Sequence, residues 1–148
     1  MLRFLVPLIA IALGLVGCAS LDPPHVTLAN VETLESQGLE ERMQLTLRVQ
    51  NPNEKPIVYN GIYVQLDVFD RSLASGESNA SGTVPPFGET EIKVPVTISL
   101  MDVVSGAMGL LSRKSLDKVS YEMRGKLNDT TSGALRFTSR GEWALPTS

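Results

Sequence analysis

The chain has 148 residues, with 13 basic against 16 acidic side chains and a net charge of −3. That mild acidity argues against a nucleic-acid binder, which needs a basic face. One histidine and one cysteine leave no ligand set for zinc and no intramolecular disulfide.

Met1 to Arg3 carry one positive charge, and Phe4 to Val16 are apolar apart from Pro7 and Gly14. About 20 apolar residues are needed to cross a bilayer, whereas a run of 10–14 is typical of a secretory signal core. The run ends in Leu15-Val16-Gly17-Cys18, which holds the only cysteine. This quartet resembles the lipobox of bacterial lipoproteins. The resemblance implies cleavage before Cys18, a diacylglycerol on its sulfur and usually an acyl group on its amine. An ordinary signal or an uncleaved anchor is the alternative, but charge, core length, box and position all agree on lipidation. Each buried methylene contributes roughly 0.8 kcal/mol, so two or more chains would hold the protein stably. Ala19, not Asp, follows the cysteine; by resemblance to enteric lipoproteins this points to the outer membrane, facing the periplasm. Residues 1–17 are thus expected to be a signal peptide, 18–24 the lipidated cysteine with its tether, and 25–146 one domain. The anchor implies a membrane partner through Cys18, with no cofactor.

Beyond the tether, a period of two dominates. Val26 and Leu28 begin a weak first strand whose phase slips at Ala29–Val31, which predicts a bulge. Met43, Leu45, Leu47 and Val49 alternate with polar residues, as do Val64, Leu66 and Val68. The longest stripe is Ile92, Val94, Val96, Ile98 and Leu100; Pro95 within it lacks a ladder donor, predicting an edge or a bulge there. Val119, Tyr121, Met123 and Leu127 follow with Gly125 as a gap, then Leu135, Phe137, Gly141, Trp143 and Leu145. Asn128–Gly133 (NDTTSG) reads as a hairpin loop between the last two runs. One segment, MDVVSGAMGLLSRKS, has helical spacing, with Asp102 as N-cap and Arg113 and Lys114 in its last turn. The expected fold is all-β, an immunoglobulin- or fibronectin III-like sandwich of about seven strands with one short α-helix.

The stretch NPNEKPIVYNGIYVQLDVFD places Asn51-Pro52-Asn53 after an alternating strand and before a Tyr-rich one. With GTVPPFGETEIKVPVTIS further on, it resembles the type 2 late embryogenesis abundant proteins, also called the water stress and hypersensitive response domain. The resemblance covers roughly residues 24–145. It implies an immunoglobulin-like sandwich with one helix, an association with tolerance of drying, cold or other stress, and no catalytic residues. Physically, Pro52 pushes Asn51 into an extended conformation and fixes its own φ for a turn. Each asparagine amide can then bond backbone left free at the strand end. That is a structural reading of Asn51, Pro52 and Asn53, preferred to ligand binding.

Other candidates for chemistry dissolve on inspection. His25 beside Pro23-Pro24 reads as a solvated strand start, and no Gly-x-Ser-x-Gly elbow accompanies it. Glu40-Glu41 and Glu89/Glu91 flank strands and turns, where a carboxylate is usually solvated. GAMGLLSRKS lacks the Gly-Lys-Ser/Thr ending of a phosphate loop. Tyr59, Tyr63 and Trp143 could form an aromatic patch, though in sandwiches such residues are more often core. No catalytic or metal site emerges. The expectation is a non-enzymatic envelope lipoprotein associated with stress and desiccation, protecting neighbouring proteins or membrane. An envelope module that engages a protein partner is the alternative.

Overall fold

A computed structural model describes residues 21–35, 38–99 and 118–144. Eight antiparallel strands run through them: β1 (His25–Thr33), β2 (Glu40–Gln50), β3 (Ile57–Val68), β4 (Arg71–Ser78), β5 (Gly82–Val84), β6 (Glu89–Ser99), β7 (Lys118–Asp129) and β8 (Gly133–Ala144). They form one sheet in the order β1-β2-β6-β4-β3-β7-β8, with β5 added to β3. The sheet curls until its terminal strands, β1 and β8, lie against each other without pairing. The expected all-β fold is present, with eight strands where about seven were expected. The expected helix around Asp102 lies outside the described residues, as do the signal peptide and Cys18.

Alternation explains the curl. Every second residue of β2, β3, β6 and β7 points inward, and Leu47, Val49, Val64, Val94, Met123 and Leu127 are completely enclosed. Burying one such side chain is worth about 1.5–3 kcal/mol. The inward residues of all eight strands, from Val26 to Phe137, belong to one cluster or pack against it, so both arms of the sheet share a single core. Gly125, the gap in the β7 stripe, sits under the Phe137 ring; a Cβ there would fall 2.5 Å from Phe137 Cζ. The missing side chain is the space that the aromatic ring fills.

Three irregularities tune the register. The first is the bulge at Ala29, between the Leu28–Leu47 and Asn30–Thr46 pairs; it switches the inward parity of β1 so that Val31 also reaches the core. In β3, an extra residue between Tyr59 and Ile62 reverses the facing. Tyr59 is consequently buried, while Tyr63 lies on the outer face opposite Lys126. The third concerns Pro95. β6 pairs with β2 along its whole length, but with β4 only through Ile98 and Thr97. That ladder stops short of Pro95, which has no N–H to continue it. The β4 backbone passes close by instead: a Cβ on Gly76 would stand 2.0 Å from the Pro95 carbonyl oxygen.

Candidate functional site

Four segments meet at one end of the molecule: the arriving chain at 21–24, the β2–β3 loop, the β5–β6 turn and the β7–β8 hairpin loop. Asn51 is their hub. It is 2% exposed. Its Nδ2 donates to the carbonyls of Lys55 (2.8 Å), Val84 (3.2 Å) and Pro85 (3.2 Å). Its Oδ1 accepts from the Asn53 backbone N–H and from Asn53 Nδ2, both at 2.9 Å. Its backbone N–H donates to the Gly88 carbonyl (2.9 Å). Asn53 extends the network outward, donating from Nδ2 to the Asp22 carbonyl (3.0 Å) and accepting at Oδ1 from the Asp22 N–H (2.7 Å). Leu21 and Pro24 flank that contact; Leu21 packs on the core and Pro24 is buried. The segment read as a tether is therefore docked from Leu21 onward.

Asp129 is the second hub, at the mouth of the β7–β8 loop, and it is 4% exposed. Its Oδ1 accepts from the Val58 N–H (2.9 Å). Its Oδ2 takes both the N–H and the hydroxyl of Thr131 (3.1 and 2.6 Å) and of Ser132 (2.7 and 2.6 Å). Burial would raise the carboxyl pKa, but the bonds from Ser132, Thr131 and Val58 outweigh it and bring it down to about 2. With its oxygens so occupied, Asp129 is a permanent anion that holds loops, and is not placed to act as a base. The sequence offered a local signal for it: an Asp followed two and three residues later by Thr and Ser is an Asx-type turn.

A different kind of cluster lies toward the other end, on the outer face of β3, β7 and β8. Asp67, buried within its residue surface, is held by Arg124 and by Gln65 Nε2 (2.9 Å). Burial opposes ionisation of Asp67, and the Gln65 and Arg124 contacts override it, lowering the pKa. Arg124 also meets Glu122 at 3.3 Å, and Glu122 meets Arg140 at 2.9 Å. An open groove of about 810 Å³ runs beside them, lined by Phe69, Asp70 and Tyr121 among others. Asp67, Glu122, Arg124, Arg140 and Glu142 around it each have an opposite charge beside them. Nothing in the sequence signals this pairing, since Asp67 and Arg124 are 57 residues apart and meet only through the β3–β7 register.

The remaining candidates are scattered. His25 is exposed at the start of β1, in a depression of about 440 Å³ with Gln50, Asn51, Pro52, Phe87 and Glu89. Glu40 and Glu41 begin β2 at the opposite end, an eleven-residue strand away from Asn51, roughly 33 Å at 3.3 Å per residue. Glu89 and Glu91 lie on the outer face of β6, 3.8 and 4.0 Å from Arg48. Tyr59 and Tyr63 point to opposite sides of the sheet, and the side chain of Trp143 lies outside the described residues. Among the described residues, no group of three His, Cys, Asp or Glu could hold a metal ion, and no buried side-chain polar atom lacks a partner.

The comparisons agree with this architecture. The model of the family described as "Late embryogenesis abundant protein" matches residues 46–141, from the middle of β2 to near the end of β8. No curated protein sequence matches the chain. Among solved structures, one of an Arabidopsis thaliana protein is similar with a TM-score of 0.61 at 17% identity, covering 87% of this chain and 86% of that one. A crystal structure of a protein from Archaeoglobus fulgidus is similar with a TM-score of 0.53 at 16% identity, covering 82% of this chain and all of the other. At these identities the likeness speaks for the fold.

Proposed function

The chain belongs to the late embryogenesis abundant family, and from that premise we propose that it is a non-enzymatic, stress-associated envelope lipoprotein, held by lipid on Cys18. Its domain protects neighbouring proteins or the membrane when water is withdrawn. The family match over residues 46–141 is the observation that carries the reading. The surface chemistry supports it. Outward rows such as Arg48 and Gln50 opposite Glu89 and Glu91, or Arg136, Thr138, Arg140 and Glu142 along β8, present hydrogen-bonding groups on a sheet whose core is already closed. Such rows can replace part of the hydration of a drying neighbour without the domain itself opening.

A labile enzyme dried and rehydrated with vesicles carrying the full protein should retain more activity than with bare vesicles and albumin at matched mass. Equal protection by albumin defeats the specific protectant. Mass spectrometry of the mature N-terminus, with membrane fractionation, tests the anchor and the outer-membrane placement separately. A second reading, an assembly module, is favoured by β1 and β8, which end the sheet without pairing to each other; a partner strand could add to either edge. Crosslinking in intact cells decides between them: one stoichiometric partner favours assembly, and a diffuse set favours protection.

A further inference from the structure

Phe87, at the tip of the β5–β6 turn, is 70% exposed and has a φ of 52°. That backbone region is relaxed for glycine and costly for an aromatic residue, and a large apolar ring in water is costly as well. The turn around it is firmly tied. The Phe87 N–H donates to the Asn53 carbonyl (3.2 Å), the Gly88 N–H to the Pro85 carbonyl (2.9 Å), and Asn51 N–H to the Gly88 carbonyl (2.9 Å). Exposed Pro85 and Pro86 stiffen the approach. A rigid frame thus holds a strained ring out into the surroundings, where a glycine would have been easier to accommodate.

The same turn is where the chain arrives. Asn53 bonds the Phe87 N–H through its carbonyl and Asp22 through its side chain. Four residue steps separate Asp22 from Cys18. They span at most about 14 Å, so a lipid-bearing Cys18 keeps Asp22 within that distance of its lipid, with the Asn53 to which Asp22 is bonded next to it. We propose that the Phe87 tip enters the interfacial layer of the same bilayer, giving the domain a second contact beside its anchor and fixing the Asn51 end against the lipid. The inference rests on the membrane tether proposed above. Leu39, the most exposed large apolar residue at the other end, is 80% exposed and follows the turn after β1. It has no anchor beside it and stands as the internal control.

The test uses the full lipidated protein in phosphatidylcholine vesicles, with the native tryptophan removed (W143F) and a single reporter placed by F87W or by L39W. An interfacial side chain sits roughly 5–10 Å into the headgroup and acyl boundary, so F87W should lose about half of its emission to lipids brominated at shallow acyl positions. Its emission should also shift to the blue, with L39W unaffected. If F87W floats with the vesicles but is quenched no more than L39W, the inference is overturned and the anchor stands. If F87W is shielded from acrylamide yet untouched by brominated lipid, a protein or a second copy covers it, and the inference is equally overturned. Failure of the protein to float removes anchor and inference together. Should F87W misfold, deuterium exchange on the unsubstituted chain replaces it: residues 84–89 must exchange more slowly on vesicles than in F87S, and equal exchange overturns the proposal.

Discussion

At the Asn51 end, two buried polar side chains, Asn51 and Asp129, replace the solvent for the backbone of the β2–β3, β5–β6 and β7–β8 connections. At the Phe69 end, the β3–β4 hairpin turns through Phe69 and Asp70, both with positive φ (52° and 61°), and the nearby charges pair across the outer face, half or more exposed except for Asp67 and Glu122. Both ends are rich in polar contacts. The difference is what happens when one is removed. Around Asn51 the orphaned partners are buried or part-buried backbone carbonyls, that of Val84 the most enclosed, and their desolvation is left uncompensated. Around Glu122 and Arg140 water takes over at once, so the pair is worth little. Burial, more than the number of contacts, ranks the two ends.

The largest effect should come from Asn51→Ala. It strands the carbonyls of Lys55, Val84 and Pro85 and frees the Asn53 turn, at a cost of about 3 kcal/mol in urea unfolding with an unchanged m-value. A result below 1 kcal/mol would abolish the contrast. Next is acid. The folded Asp129 pKa of about 2 lies below the ordinary 3.8, so this carboxylate stabilises the fold fully above pH 4. As pH falls from about 4 through 2 the contribution, roughly 2 kcal/mol, is lost. Stability measured against pH should show that slope, and D129N should flatten most of it; the lowered pKa of Asp67 adds a residual slope of the same sign.

Smaller again is Arg124→Ala, which leaves the shielded Asp67 carboxylate with Gln65 alone and should cost about 1 kcal/mol, read by thermal unfolding. Arg140→Ala, whose side chain is 77% exposed, should change stability by less than about 0.5 kcal/mol, and even that should vanish in high salt. If Arg140→Ala proved as costly as Asn51→Ala, exposed pairing would carry the fold and the ranking would invert.

The legible features were those whose cause is local. Alternation along β2 and β6 shows in the sequence because each inward residue needs only its own strand to declare its side. The bulge at Ala29 showed as a phase slip, and the Asn51 turn as an Asn-Pro-Asn triplet whose partners include its own loop. Asp129 had a local signal as well, in the Thr131 and Ser132 that follow it, but within a run of turn residues it looked like any other loop letter. The Asp67–Arg124 pair was invisible, because only the β3–β7 register brings it together. The opposite facing of Tyr59 and Tyr63 was hidden for a related reason: an extra residue in a strand rich in buried positions leaves no clear break of phase. The positive φ at Phe69 and Phe87 had no compositional sign, since glycine, asparagine or aspartate is the usual marker and only Asp70 is of that kind.

The proline after Asn51 also bears on how long the hub survives. Asparagine ages chiefly when the nitrogen of the next residue attacks its side chain to form a cyclic imide, and a proline nitrogen carries no hydrogen to lose in that attack. The slower route, in which the asparagine's own amide nitrogen cuts the main chain, is hindered because that nitrogen is shared among three carbonyls. The residue that ties the loops together is thereby shielded from spontaneous chemical decay.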